Sequence, residues 1–196
     1  MVISIFVCTT EGTEGPEGDD SLSTLRITAG ALRGRRVPVP AGDTRPTSER
    51  ARQAFFNIVA GRINRARFLD LFAGSGVFAF EAVSRGAESA TAVDSKAGTI
   101  ARLAKEWDVP VTAIQGDVMA TLPRLRDSFD VVYADPPYDF PEYDGLVHGI
   151  GRLTLAPDAV VAIEHRKRSN PFSETTGRLQ IQRRAEYGEV WITFFA

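Results

Sequence analysis

Two regimes of hydrophobic spacing divide the chain beyond residue 24. In the first, the short apolar stretches Leu25-Arg26-Ile27-Thr28-Ala29 and Arg35-Arg36-Val37-Pro38-Val39 flank a turn containing Gly30 and Gly34, which predicts a β-hairpin. Arg45-Pro46-Thr47 then opens a helix that Thr47 or Ser48 can cap and whose positive end Glu49 favours. Ala51, Ala54, Phe55, Ile58 and Val59 recur at helical spacing on one face, with Arg50 and Arg52 off it. From Phe68 onward, apolar runs of strand length at 67–71, 89–94, 110–114, 129–134 and 158–164 alternate with helical segments near 76–85, 96–107, 118–126 and 142–153. Such alternation predicts an α/β fold built on a mostly parallel sheet covered on both faces. The last stretches, 178–186 and 189–195, broken at Tyr187-Gly188, read as an antiparallel pair closing one edge.

Residues 1–24 are rich in Gly, Glu, Asp, Ser and Thr and show no periodicity after Val7, so a disordered acidic tail is expected. The opening Met1–Cys8 run lacks the basic start of a secretory signal, and acidic residues follow it. The chain's 196 residues suit one domain with a small appendage, and no apolar run is long enough to span a bilayer. A single cysteine, Cys8, excludes an internal disulfide, fits a reducing cytoplasm and, with only His148 and His165, argues against a metal site.

The net charge of −2 conceals its distribution. Residues 1–25 carry five acids and no base, whereas residues 26–67 carry ten arginines against Asp43 and Glu49. An all-arginine block on an acidic body suits either a polyanion-binding surface or a solvated face.

Phe68-Leu69-Asp70-Leu71-Phe72-Ala73-Gly74-Ser75-Gly76 is an apolar strand running into a glycine turn, and a helix follows. Glycines allow close backbone approach to a nucleoside cofactor, and the helix start offers N–H groups. Asp70 can pair with an ammonium group, which S-adenosylmethionine has and NAD lacks; NAD's pyrophosphate would be repelled. Asp94, ending the next strand, can take both ribose hydroxyls of either ligand. Asp117 can accept from an adenine amino group while Val118 packs on the ring, or it can simply cap the following helix.

Asp135-Pro136-Pro137-Tyr138 follows the fourth of these strands directly, on the same sheet edge. The prolines remove two N–H donors and stiffen the loop, leaving carbonyls to face a ligand. An exocyclic amine of a base is a weak nucleophile because its lone pair is delocalised. Asp135 and the Pro136 carbonyl can each accept one of its N–H bonds, turning the lone pair towards a methyl donor. Tyr138 offers a ring to stack on a base that must be flipped out or unpaired to enter.

These motifs in this order resemble the RsmD family of bacterial 16S rRNA guanine-N2 methyltransferases, over the chain from Leu25 nearly to the C-terminus. The likeness rests on Arg26–Gly30, Arg33–Arg36, Arg45–Thr47, Arg50, Arg52, Phe55–Ile58, Asp70–Gly76, Glu81–Ala87 and Asp135–Tyr138. It implies a Rossmann-like, seven-stranded class I methyltransferase sheet over 67–196 with a basic hairpin and helix extension over 25–66. It also implies S-adenosyl-L-methionine bound by Asp70, Phe72, Ala73, Gly74, Ser75, Gly76, Asp94, Ser95, Asp117 and Val118. Arg26, Arg33, Arg35, Arg36, Arg45, Thr47 and Arg50 are then expected to contact RNA in the small subunit or an assembly intermediate, with the enzyme a cytoplasmic monomer. The acidic extension before Leu25 and the short segment from Asp94 to Asp117 depart from the family pattern. The motif alone leaves adenine-N6 methylation of DNA open, and the residues also admit a nicotinamide-dependent oxidoreductase or a non-catalytic RNA-binding protein. Whether Glu164 or Tyr187 approaches the pocket is left open too.

Overall fold

The computed structural model describes residues 23–39, 49–167, 171–172 and 177–196. Strands β1 (Thr24–Arg26) and β2 (Arg36–Pro38) pair antiparallel as the expected hairpin, so Thr24 belongs to it rather than to the tail. Helices α1 (Glu49–Ile58) and α2 (Ala60–Ile63) follow. The chain then alternates through β3 (Arg67–Leu71), α3 (Val77–Ser84), β4 (Ser89–Asp94), α4 (Gly98–Trp107) and β5 (Val111–Gln115). It continues with α5 (Val118–Thr121), β6 (Ser128–Ala134), α6 (Tyr143–Gly151), β7 (Thr154–Arg166), β8 (Ile181–Tyr187) and β9 (Val190–Phe195). The helix expected over 118–126 is shorter: after α5 the chain tightens into a 3-10 turn at Leu122–Arg124, where Pro123 has no N–H to continue an α-helix. Arg45, Pro46, Thr47 and Ser48, with the proposed cap, lie outside the described residues.

The main sheet has the order β5-β4-β3-β6-β7-β9-β8, with β9 antiparallel to both its neighbours and the other pairings parallel. Strands buried on both faces need continuous apolar runs, which is how these strands read. Phe68, Val131 and Tyr133 face the layer of α1, α3 and α4, while Leu69, Leu71, Val132 and Ala134 face α5 and α6. Register brings the strand ends level. Leu71 pairs with both Val93 and Ala134, Ala134 with Ile163, and Asp94 with Gln115. Phe72, Asp94, Asp135 and Glu164 therefore stand in a row along the carboxyl edge. Among the described residues no helix is long and apolar enough to cross a membrane.

The division at residue 66 is not a break in packing. Ile27, Leu32, Val37, Phe55 and Phe56 share one core with Phe68, Phe78 and Tyr133. Arg52, placed off the apolar face by helical spacing, is fully buried on α1. Its Nη2 donates to the Arg26 carbonyl at 2.7 Å, and its Nε lies 3.6 Å from Glu81 Oε2. Burial outweighs the attraction of Glu81 and draws this guanidinium below the usual arginine range. Apolar periodicity is blind to such a position, because a charge buried against an opposite charge looks like a surface residue in the sequence.

Glu81, also fully buried, accepts from the backbone N–H of Thr28 (2.9 Å) and Ala29 (3.2 Å) and from Arg85 Nε (2.9 Å). One turn later, the Ser84 carbonyl accepts from Ala31 N–H at 2.8 Å and Ser84 Oγ from Leu32 N–H at 2.9 Å. Gly30 fits there at φ +80°; a Cβ on it would lie 1.6 Å from the Ser84 carbonyl oxygen. The hairpin thus runs alongside α3, and its turn docks at the helix's C-terminal end, on the amino edge of the sheet.

Replacing Glu81 with Gln leaves the Arg52 charge buried without its counter-charge. The expected loss is about 3–5 kcal/mol, read as a lower urea midpoint with an unchanged m-value. Arg62→Ala, which breaks the exposed pair with Asp158, should stay within about 0.5 kcal/mol.

Candidate active site

The loop leaving β3 has three residues in the left-handed region within one turn, Phe72 (φ 58°), Gly74 (φ 52°) and Gly76 (φ 79°). Gly76 is further restricted by space, since a Cβ there would lie 2.8 Å from Ile100 Cγ1. The loop is tied to the neighbouring strand end: Ala73 N–H donates to the Val93 carbonyl at 3.1 Å, and Gly74 N–H to Asp94 Oδ2 at 2.8 Å. Asp94 Oδ1 accepts from Lys96 N–H at 2.8 Å and lies 3.5 Å from Ser95 Oγ. Ser75 Oγ accepts from Val77 N–H at 3.3 Å at the start of α3.

Asp70 is 2% exposed and accepts from Ala79 N–H at 3.1 Å. Burial pushes its carboxyl well above the ordinary range; the Ala79 bond opposes this, and the nearby Asp135 and Asp94 carboxylates add to it. A cation at this point would relieve that penalty. Asp117 caps α5, accepting from Ala120 N–H at 2.8 Å through Oδ1, the local role weighed against adenine recognition. Val118 is 3% exposed and packs into the core beside α6, so little of it is left to cover a ring.

The second half of the site abuts this loop. Asp135 N–H donates to the Leu71 carbonyl at 3.2 Å, which joins the end of β6 to the entrance of the glycine turn. The Pro137 carbonyl accepts from Phe140 N–H at 2.9 Å, and among the described residues none donates to the Pro136 carbonyl. Pro136 is buried and Pro137 exposed. Phe140 bridges the two loops, meeting Phe72 edge-on with ring centroids 5.3 Å apart and Tyr143 at 5.4 Å. Tyr143 is pushed up to about 12, first by burial and then by Asp135 and Glu164, so it remains a neutral phenol.

Tyr138 is 38% exposed, and the Arg166 guanidinium lies over its ring at 4.4 Å from the centroid. A base stacking on Tyr138 would use the opposite face or displace Arg166. Glu164 stands level with Asp135 one strand away; it is 2% exposed and accepts from Tyr133 O–H at 2.6 Å. Glu164 carries the same signature as Asp70 and Asp94, an acid near the carboxyl end of an apolar run, and that signal was present in the sequence. Tyr187 ends β8, two strands farther out.

The basic surface is distributed differently. Arg26, Arg33, Arg35, Arg36 and Arg50 are exposed. Arg33 sits in the hairpin turn and Arg35 just beyond it, at the sheet edge opposite Asp135; Arg45 and Thr47 lie outside the described residues.

A parallel sheet in this strand order with a glycine turn after its central strand, acids at the neighbouring strand ends and a proline loop beside them defines a class I methyltransferase. The family described as conserved hypothetical protein 95 matches residues 25–196, and the chain belongs to this family, the RsmD family that its motifs resemble. YlbH of Bacillus subtilis (strain 168), provisionally named an rRNA methyltransferase, is 30% identical over 182 residues, 87% of this chain and 98% of that protein. Ribosomal RNA small subunit methyltransferase D of Haemophilus influenzae is 31% identical over 153 residues, 73% of this chain and 79% of its own length. The solved structure of yhhF from Escherichia coli, provisionally named a methyltransferase, superposes with a TM-score of 0.78 at 27% identity, covering 88% of this chain and 97% of that one.

Asp70 generates a pH test. Its folded pKa lies above its unfolded value, so its contribution is most favourable below the unfolded pKa and declines as pH rises through the folded one. Across about pH 4 to 8, the urea midpoint of the ligand-free protein should therefore fall more steeply for wild type than for Asp70→Asn. Parallel profiles would show that Asp70 ionises without penalty.

Proposed function

We propose that this chain transfers a methyl group from S-adenosyl-L-methionine to the exocyclic N2 amine of one guanine in 16S rRNA, within the 30S subunit or an assembly intermediate. It does so as a cytoplasmic monomer. One observation carries this reading: Asp135 N–H donates to the Leu71 carbonyl, which ties the proline loop to the entrance of the glycine turn, and among the described residues none donates to the Pro136 carbonyl. The names of the relatives supply the polymer.

The residues present fit the cofactor. Asp70, buried and raised by desolvation, suits its ammonium group, and Asp94, already spanning Gly74 and Lys96, suits its ribose hydroxyls. Phe72, Ala73, Gly74, Ser75 and Gly76 give the close backbone approach; Ser95 and Asp117 would border the adenine end, with Val118 buried behind them and offering it little surface. S-adenosylmethionine supplies an electrophilic methyl on a sulfonium.

On the substrate side, the Asp135 carboxylate and the Pro136 carbonyl accept the two N–H bonds of the amine. This draws the nitrogen out of conjugation and aims its lone pair along the line of transfer. Transfer breaks the methyl–sulfur bond of the donor, leaving a neutral thioether, and costs the amine one proton, which Asp135 would hold. Pro137 fixes the loop through its bond from Phe140, and Tyr138 stacks on the flipped base. These are contributions of orientation and electrostatics. Arg26, Arg33, Arg35, Arg36, Arg45, Thr47 and Arg50 hold the RNA backbone.

The test is transfer of labelled methyl to rRNA or 30S particles from a strain lacking the enzyme. Wild type should restore one methylguanine, and Asp135→Ala should lower kcat by about 10²–10³-fold with S-adenosylhomocysteine affinity unchanged. Label entering duplex DNA instead would favour adenine-N6 chemistry, and no lost methylguanine in the deletion strain would sink the proposal.

A further inference from the structure

A groove of about 610 Å³ lies between β2 and α4, lined chiefly by Arg35, Arg36, Arg102, Glu106 and Trp107. Its position follows from the winding. Since β4 ends at the carboxyl edge, α4 runs back from Gly98 beside that edge to Trp107 near the start of β5. The groove therefore opens along the flank of the molecule towards the amino edge. Arg35 and Arg36 line it from the hairpin, and Arg102 and Glu106 line it from α4.

That chemistry suits a polyanion backbone. Arg102 is paired with Glu106 at 2.9 Å, but both side chains are more than half exposed, so the pair is weak and easily exchanged for a phosphate. The Arg35 guanidinium is held over the Trp107 ring at 5.1 Å from its centroid, and Phe80 packs on Trp107 at 4.9 Å. A guanidinium held over an aromatic ring is partly ordered in advance, and its fork of donors suits bidentate phosphate binding. Arg36 Nη1 donates to Thr24 Oγ1 at 3.0 Å across the hairpin, which orients a second cation at the same wall. These arginines are not needed to anchor the hairpin, because Glu81 and Ser84 already bind its backbone.

We propose that the groove between β2 and α4 is a second RNA-backbone subsite. In it Arg102, from the cofactor-binding half of the chain, joins Arg35 and Arg36 of the hairpin. This rests on the rRNA reading above and sharpens it. The five residues of β3 separate the two sheet edges by about 17 Å. The substrate is thus held at the flipped guanine and, independently, by a flanking stretch of its phosphate backbone. Groove contacts accordingly affect binding of the polymer and not the transfer step.

The experiment compares wild type with Arg35→Ala/Arg102→Ala, both exposed positions, using the same methyl-deficient 30S particles or 16S rRNA. Expected are a KM for RNA raised about tenfold, kcat at saturating RNA within twofold, and a salt dependence of binding shallower by up to about 1.8 units, two phosphate contacts' worth. Arg102→Glu alone should raise KM in the same direction; an unchanged KM would overturn the groove proposal, because Arg35 already belongs to the hairpin's RNA contacts. S-adenosylhomocysteine affinity and the urea midpoint serve as controls. If wild type labels 16S rRNA but the double variant keeps its KM and salt slope, the groove proposal is overturned alone. A double variant that loses cofactor affinity or stability in step with its KM overturns it too, since the arginines would then be packing residues. If wild type labels no 16S rRNA, the rRNA reading fails and the groove proposal with it.

Discussion

The hydrogen-bond register of four parallel strands is the constraint on which everything else rests. Because Leu71 is opposite both Val93 and Ala134, and Ala134 opposite Ile163, the residues that follow these strands emerge at one level. A shift of one residue in any ladder would turn that strand's faces over and carry its terminal acid out of line. The apolar layers on both sides of the sheet prevent the shift, since Phe68 and Tyr133 belong to one core and Leu69 and Val132 to the other. The chemistry at the edge is thus positioned by residues that take no part in it.

Level strand ends alone would leave the two loops independent. They are joined by the bond from Asp135 N–H to the Leu71 carbonyl and by Phe140 resting on Phe72. The electrostatics reflect this closeness: Asp135 adds to the raised pKa of both Asp70 and Tyr143. Several carboxylates so close together are costly without a cation. An apo site of this kind is strained in favour of the ligand that carries one.

The hairpin and α1 are usefully viewed as part of the same rigid body. Arg52 and Glu81, both without exposed surface, bind α1, the hairpin and α3 into one unit. A buried pair of this sort adds little net stability compared with apolar side chains, but it tolerates only one arrangement. The consequence is that the arginines of β2 have a set position relative to α4, and the basic surface lies along the flank of the sheet instead of around Asp135.

The sequence by itself determined the alternation of strands and helices, the antiparallel closing pair and the row of acids after the strands. These follow from local spacing and from the few residue types that a ligand edge accepts. It also carried the Asp135-Pro136-Pro137-Tyr138 motif whole, because the four residues are contiguous and their properties are largely local. Only the tertiary structure decided that Arg52 is buried, that Asp117 caps a single turn of helix, and that Glu164 stands beside Asp135. It also decided that Arg166 covers one face of Tyr138 and that Arg35 meets Trp107 across a groove. Each of these depends on two segments far apart in the chain, and a charged residue has the same appearance in a sequence whether it faces water or a distant partner.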